Sequence, residues 1–187
     1  MKMTSVKVVA GLLFMAISAG VQAMSAEEKG LAIAVEMDQR DTGFHDMTAD
    51  MVMTLRNRKG DESVRYIRIR TLEVEGDGDK SISIFDRPRD IKGTAMLTFS
   101  HGLKADDQWL YLPGLKRVKR ISSKNKSGSF MGSEFAYEDL SSQEIEKYTY
   151  KWLRDEPCGE LQCYVIERVP AYKYSGYTRM VSWIDQT

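Results

Sequence analysis

The side chains in this sequence of 187 residues that could serve in acid–base catalysis form no recognised catalytic motif. Its two histidines, His45 and His101, lie far apart, and neither belongs to a G-x-S-x-G or an H-E-x-x-H motif. This spacing favours surface or turn positions for both histidines. An enzyme, such as a hydrolase that uses His45 or His101, is therefore only a third hypothesis, and we predict no catalytic residue.

The two cysteines, Cys158 and Cys163, lie close together in the stretch EPCGELQCYVIERV. In an oxidising compartment this spacing predicts a disulfide across a tight turn. A redox-active pair would more typically be Cys-x-x-Cys, and a zinc site would need further Cys or His ligands. A disulfide that closes so short a loop would stabilise the fold by about 2 kcal/mol, because it lowers the chain entropy of the unfolded state.

Three other patterns resemble binding sites without matching one. Met47, Met51 and Met53 could form a soft Cu(I) site, with Met51 and Met53 on one strand face and Met47 before the strand. The alternative is an apolar lining, since Met adapts to irregular partners. EGDGD at 75–79 lacks the spacing of a calcium loop, and GSFMGS at 128–133 lacks the lysine of a P-loop. We therefore expect no metal and no cofactor.

A cationic strip precedes an apolar stretch within residues 114–140. The basic strip comprises Lys116, Arg117, Lys119, Arg120, Lys124 and Lys126. Aromatic and apolar side chains follow at Phe130, Met131, Phe135 and Tyr137. Nucleic acid, an anionic lipid, an acidic protein partner and a merely solvated strand face would each suit such a strip. Glu138 and Asp139 could neutralise part of it or cap the helix that they begin.

The N-terminus predicts export. Lys2 and Lys7 form a basic region before an apolar run that is too short to span a membrane, and Val21–Ala23 has the form of a signal-peptidase site. We interpret residues 1–23 as a cleavable signal peptide and residues 24–187 as one domain in the periplasm. Removal of the two lysines leaves 25 basic against 27 acidic residues, a net charge of −2. Export and this charge argue against nucleic acid as the partner.

The periodicity predicts one helix followed by about eight antiparallel strands, an α+β fold. Ser25 and Glu28 form a capping box for a helix over about 25–40. Strands are predicted around 51–55, 64–74, 80–85, 93–100, 108–113, 115–122, 149–169 (a cysteine hairpin) and 178–185, with a short helix or helical turn at 137–148. Because the chain stops as a strand ends, we expect that its C-terminal strands are missing.

The stretch 106–140 resembles the LolA-like family of outer-membrane lipoprotein-sorting proteins, in the periplasmic branch associated with RND/MMPL-type exporters. The residues that carry the resemblance are Trp109, Tyr111, Leu112, Pro113, Lys116, Arg117, Arg120, Ile121, Phe130, Gly132, Ser133, Phe135, Tyr137, Glu138, Asp139 and Leu140. It implies a strongly curved antiparallel sheet, an incomplete barrel covered by an N-terminal helix and a short helical segment. It also implies an apolar cavity for acyl chains.

The function predicted from this resemblance is that of a carrier for lipoprotein acyl chains or other lipid-like cargo. It would be a monomer that delivers its cargo toward the outer membrane, with an RND/MMPL-type exporter as the inner-membrane partner. The candidate cavity-lining residues are Met51, Met53, Leu55, Ile67, Ile69, Ile82, Ile84, Met96, Phe99, Trp109 and Tyr111. An ordinary core under the helix is the alternative for each of them.

Within the basic strip, Lys116, Arg117, Lys119 and Arg120 are the candidates for contact with an anionic headgroup or an acidic partner. Arg117 and Arg120 are favoured, because a guanidinium group pairs bidentately with phosphate or carboxylate. A second hypothesis is an envelope sensor or interaction module that uses the same fold without transporting anything. A filled core beneath the helix would favour that hypothesis.

Overall fold

The computed structural model describes residues 23–187, which form one α-helix and nine strands. The signal-peptide prediction falls on residues that lie, apart from Ala23, outside this range, and it remains a prediction. The helix α1 spans Ala26–Arg40. The strands are β1 Asp46–Arg56, β2 Glu62–Leu72, β3 Lys80–Arg87, β4 Ala95–Phe99, β5 Asp107–Leu112, β6 Arg117–Ile121, β7 Tyr148–Cys158, β8 Leu161–Pro170 and β9 Met180–Asp185.

The start of α1 confirms the capping box. The Ser25 hydroxyl accepts a hydrogen bond from the Glu28 amide at 3.1 Å, and the Ser25 amide donates to the Glu28 carboxylate at 2.8 Å. Two of the amide groups that lack partners inside the helix are thereby satisfied. The helix buries Gly30, Ile33 and Ala34.

The strands form two antiparallel sheets. The larger sheet has the order β1-β2-β3-β4-β5-β6, and the smaller has the order β7-β8-β9. The larger sheet is irregular at Tyr66 and Ile67, where the register against β3 shifts. The fold is the predicted α+β architecture of curved, unclosed antiparallel sheets. None of the helices among residues 23–187 is long and apolar enough to cross a membrane.

Each sheet is covered by a different part of the chain. The helix packs on the smaller sheet, where Ile33 and Ala34 contact a cluster with Tyr150 and Ile166. The larger sheet packs against residues 122–142, which we call the covering segment, and which contributes Phe130 to the buried core. We call the side of the larger sheet that faces this segment the inner face and the opposite side the outer face. The sequence had led us to expect that the helix covers the candidate lining residues. It does not, because it packs on the smaller sheet.

The short helix or helical turn predicted at 137–148 takes the form of two short 3-10 turns, Tyr137–Leu140 and Ile145–Lys147. Between them, the Ser142 amide donates to the Ser100 hydroxyl at 2.9 Å rather than to a helical carbonyl. Such bonds between side chain and backbone compete with a continuous helix.

The predicted disulfide is present between Cys158 and Cys163, at the end of the β7–β8 hairpin. The two Cα atoms lie 5.9 Å apart, within the usual range for a disulfide. Among the described residues no cysteine is free. The bridge is the kind of bond expected in an exported protein.

Replacing Gly30 by Ala should destabilise the protein. A Cβ atom there would lie 2.6 Å from the Trp152 amide nitrogen and 2.7 Å from that of Lys151, so the helix would have to move away from β7. Alanine favours the helix by about 1 kcal/mol, but such overpacking costs about 1–3 kcal/mol. We expect urea denaturation to show a net loss of stability. As a control, Ala32→Gly on the exposed side of α1 should cost only about 1 kcal/mol. A Gly30→Ala protein as stable as the wild type would contradict this packing.

Tyr150 should make the fold sensitive to alkali. Its hydroxyl donates to the Ile145 carbonyl at 3.2 Å, and burial raises the pKa of Tyr150 to about 12. An unfolded chain loses the tyrosine proton near pH 10, so the folded state retains more protons above that pH and stability falls as pH rises from 10 to 12. Tyr150→Phe removes this contribution. The free energy of unfolding of wild type relative to the variant, measured in urea at pH 8 to 12, should therefore fall above pH 10. A difference that stays constant with pH would contradict the prediction.

Candidate ligand-binding surfaces

The strand register divides the eleven candidate lining residues between the two faces of the larger sheet. Met51 pairs with Ile67, which pairs with the buried Phe85, and Ser83 pairs with Met96. The inner face therefore holds Met51, Met53, Leu55, Ile67, Ile69 and Met96. Ile82 pairs with Leu97 and Leu97 with Trp109, on the opposite side. The outer face holds Ile82, Ile84, Phe99, Trp109 and Tyr111.

The inner face is packed over part of its length and exposed at one end. Met53, Ile67 and Met96 are almost fully buried. Met51 is 38% exposed, and Met47 is 48% exposed at the beginning of β1. Met47 lies inside this strand and shares its face with Met51 and Met53, although the sequence analysis placed it before the strand. The three methionines thus form a row along β1 that is buried at Met53 and exposed at Met51 and Met47.

The covering segment is held on the inner face by aromatic packing and two polar tethers. The Phe130 ring lies between Phe85 and Tyr137, with centroids 5.8 Å from each. The Arg65 guanidinium donates to the Met131 carbonyl at 2.7 Å. The buried Gln108 amide donates to the Tyr137 carbonyl at 2.8 Å. The segment has little regular structure of its own, so these contacts fix its position.

The outer face is half-buried and combines apolar side chains with cations. Phe99 and Trp109 pack edge to face at 5.3 Å. The Lys80 ammonium lies 5.0 Å from the Phe99 ring centre, and Arg68 forms two hydrogen bonds with Asp86, at 2.6 and 3.0 Å. This face is a surface with an apolar centre and a charged border.

Much of the basic strip lies on β6, an edge strand among the described residues. Arg117 and Lys119 stand opposite Leu112 and Leu110, on the inner side, and both are exposed. Arg120 stands opposite Trp109 on the outer side and pairs with Asp107. Lys116 ends a 3-10 turn in a left-handed conformation. Charged side chains on an edge strand also prevent unwanted pairing with other sheets, so the solvated-strand interpretation keeps its physical basis.

Glu138 and Asp139 are both bonded outside the strip, although the charge of Glu138 also favours the protonated form of Lys126. Asp139 accepts from the Ala136 amide at 2.7 Å and so caps its turn, as one of the two interpretations predicted. Glu138 faces the other way and accepts from the Gly176 amide at 2.7 Å. Neither carboxylate forms an ion pair with the strip among residues 23–187.

The histidines occupy separate turns. His101 contacts Asp77 through Nδ1 at 2.7 Å, and this hydrogen bond lowers the pKa of Asp77. The His45 amide donates to Glu73 at 2.8 Å. Over the described range, no three His, Cys, Asp or Glu side chains come together as a metal site.

A cavity with many acidic side chains in its lining lies beside α1. It measures about 1520 Å³ and lies between the C-terminal end of α1, the β2–β3 turn and residues 141–146. Its acidic lining comprises Asp38, Asp41, Glu73, Glu75, Asp77, Asp79, Glu144 and Glu146. None of the eleven candidate residues lines this cavity or the smaller one.

The smaller cavity measures about 400 Å³ and lies where the covering segment meets the β4–β5 turn and the β8–β9 loop. It contains a buried Lys147, which donates to Asp106 and to the Ser142 carbonyl, each at 3.0 Å. Lys126 lies over the Tyr172 ring at 3.6 Å, and burial lowers the pKa of Lys126. Sequence reasoning missed this site, because its members come from four separate segments with no common motif.

Comparisons with known proteins agree with this architecture. Residues 77–187 match the model of a family described as "Uncharacterized protein". A solved domain from Vibrio parahaemolyticus, named for outer membrane lipoprotein sorting, is 58% identical, with a TM-score of 0.83 over 86% of this chain and 68% of that one. A DUF1329 family protein from Desulfovibrio piger is 34% identical, with a TM-score of 0.81 over 87% of this chain and 69% of that one. No curated protein matches the sequence.

The chain therefore belongs to the family of the Vibrio lipoprotein-sorting domain and the Desulfovibrio DUF1329 protein. A LolA superfamily protein from Nitrosomonas europaea shares the fold, with 19% identity and a TM-score of 0.62 over 88% of this chain and 68% of that one. The resemblance to outer-membrane lipoprotein-sorting proteins and the LolA-like fold are thus confirmed, and the association with an RND/MMPL-type exporter stays a prediction.

Replacing Gln108 by Leu should loosen the covering segment. The substitution places an apolar side chain against the core. It removes the hydrogen bond to the Tyr137 carbonyl, worth about 1 kcal/mol, and the longer one to the Ser141 hydroxyl. We expect amide hydrogen exchange in residues 126–142 to accelerate by roughly fivefold. Gln39→Leu, on the exposed side of α1, is the control and should leave that exchange unchanged. Equal protection in Gln108→Leu and wild type would show that the tether does not hold the segment.

Proposed function

We propose that the protein is a periplasmic carrier that binds lipoprotein acyl chains or other lipid-like cargo on the inner face of its larger sheet. The observation that carries the proposal is the apolar inner face, which runs from the exposed Met51 to the buried Ile67 and is covered only by an irregular segment. Membership of a family with a relative named for lipoprotein sorting supports the same conclusion.

The energetics favour a carrier with a removable cover. Each methylene that leaves water gains about 0.8 kcal/mol, so a 16-carbon chain would lose on the order of 13 kcal/mol if it crossed the periplasm exposed. In the structure, Phe130, Met131 and Tyr137 occupy the space on the inner face that cargo would need. We infer that cargo displaces the covering segment, starting at Met47 and Met51. Release requires a receiver that binds the cargo more tightly, and no catalytic step is involved.

The periplasmic location rests on the signal peptide predicted for residues 1–23 and on the disulfide. An RND/MMPL-type exporter in the inner membrane is the proposed partner, and the carrier is proposed to work as a monomer. Arg117 and Lys119 on the edge strand, and Lys116 just before it, are exposed and would meet an anionic headgroup or an acidic patch on that partner. Arg120 would first have to release Asp107.

A second candidate function is an interaction module that transports nothing. The packed inner face favours it, because Phe130 already fills the core that cargo would enter. The docking surface would then be the outer face, where Phe99, Trp109 and Tyr111 are partly exposed. Arg68 and Arg120 at its border suit a protein partner with an apolar patch and acidic surroundings.

Substituting Asp at one position on each face separates the two functions. Met51→Asp places a charge on the exposed end of the inner face, where the fold tolerates it. We expect the affinity for a pyrene-labelled 16-carbon fatty acid, measured by fluorescence titration, to fall about tenfold, the equivalent of losing contact with about two methylenes.

Ile82→Asp is the matched control on the outer face. Its affinity for the same probe should equal that of the wild type. Loss of binding in Ile82→Asp alone would move the cargo site to the outer face. A wild-type protein that does not bind the probe at all would contradict the carrier and leave the interaction module. Circular dichroism of each variant shows whether it is folded.

A further inference from the structure

The smaller cavity of about 400 Å³ has a net positive lining. Its walls carry Lys104, Lys126, Lys147 and Lys173 against only two carboxylates, Asp106 and Glu138. The volume is within the range of pockets that hold small molecules. The tyrosines Tyr148, Tyr172 and Tyr174 complete one side.

Both carboxylates are already satisfied by the protein. Asp106 accepts from Lys147 and from the His101 amide, each at 3.0 Å. Glu138 accepts from Ser175 at 2.8 Å, from Tyr172 at 3.0 Å and from the Gly176 amide at 2.7 Å. These bonds occupy acceptor positions on both carboxylates, whose charges still favour the protonated form of the nearby Lys126.

Lys126 is the cation that remains. Its ammonium group lies over the Tyr172 ring and forms no hydrogen bond or ion pair within the part of the chain that the structure describes. Burial lowers its pKa, so the charged form is poorly solvated where it stands. Lys104 and Lys173 are exposed at the edge of the same cavity. An anion placed between these three lysines would supply the missing partner.

We propose that this cavity binds a small organic phosphate, with the phosphate group on Lys126 and between Lys104 and Lys173, and the organic part against the tyrosine rings. Lysine acts on phosphate as a point charge, so several lysines suit an anion with charge spread over its oxygens. The phosphate could belong to a soluble metabolite or to a phospholipid headgroup. This site does not depend on the carrier proposal, because none of its lining residues belongs to the inner face.

Titration calorimetry with inorganic phosphate and with glycerol 3-phosphate at low ionic strength tests the proposal. We expect saturable binding of one molecule per protein, tighter for glycerol 3-phosphate and weaker as sodium chloride is added. Lys126→Met should weaken binding at least tenfold, and Lys126→Arg should restore it to within a few-fold of the wild type. Lys124→Met, two residues away in the basic strip and exposed, should bind like the wild type.

Sedimentation with phosphatidylglycerol vesicles, compared with phosphatidylcholine vesicles, distinguishes the two sources of phosphate. Vesicle binding that Lys126→Met abolishes and Lys124→Met retains would identify a headgroup, and binding of the soluble phosphates alone would identify a metabolite. Both results support the site. The proposal would be overturned if neither the soluble phosphates nor the phosphatidylglycerol vesicles bound in a saturable way. It would also be overturned if Lys126→Met and Lys124→Met lost affinity equally.

Discussion

The packing of Phe130 on the larger sheet is the contact on which the rest of the structure depends. Phe130 is 1% exposed and lies between Phe85 and Tyr137. It comes from a segment of turns, and Gln108 and Arg65 reach from the sheet to bond two of its carbonyl groups. Apolar burial and these tethers together close the inner face.

The same segment joins the two sheets. One side presents Phe130 and Tyr137 to the larger sheet, and the other presents Lys126 and Glu138 to the smaller cavity. Glu138 bonds the β8–β9 loop at Tyr172 and Gly176, so any displacement of the segment must disturb that loop. The proposed acyl-chain surface and the proposed phosphate site are therefore mechanically linked, although they share no residue.

Residue spacing over short stretches of the sequence predicted the local features of the structure. The capping box at Ser25, the disulfide at Cys158 and most strand boundaries depend on neighbours within a few residues, which sequence spacing reports directly. The resemblance in residues 106–140 led to the correct fold class, because that stretch includes strand β5 and the segment that covers the inner face.

The candidate site was harder to predict, because alternation along a strand separates two faces without saying which is covered. Ile82 and Ile84 alternate with serines, yet Phe85 decides the orientation of β3 by turning inward and becoming fully buried. The position of α1 on the smaller sheet depends on the close approach of Gly30 to β7. Lys126 and Lys147 line the same cavity because the covering segment crosses there. No sequence motif predicts such a long-range arrangement.

Native mass spectrometry of the protein purified from the periplasm of its own host tests the central claim most directly. Because the account assigns lipid-like cargo to the inner face, it predicts a 1:1 adduct with the mass of a lipid or an acylated peptide. Denaturation should release this adduct, and the same preparation of Met51→Asp should lack it. A clean unliganded mass for the wild-type protein would contradict the carrier.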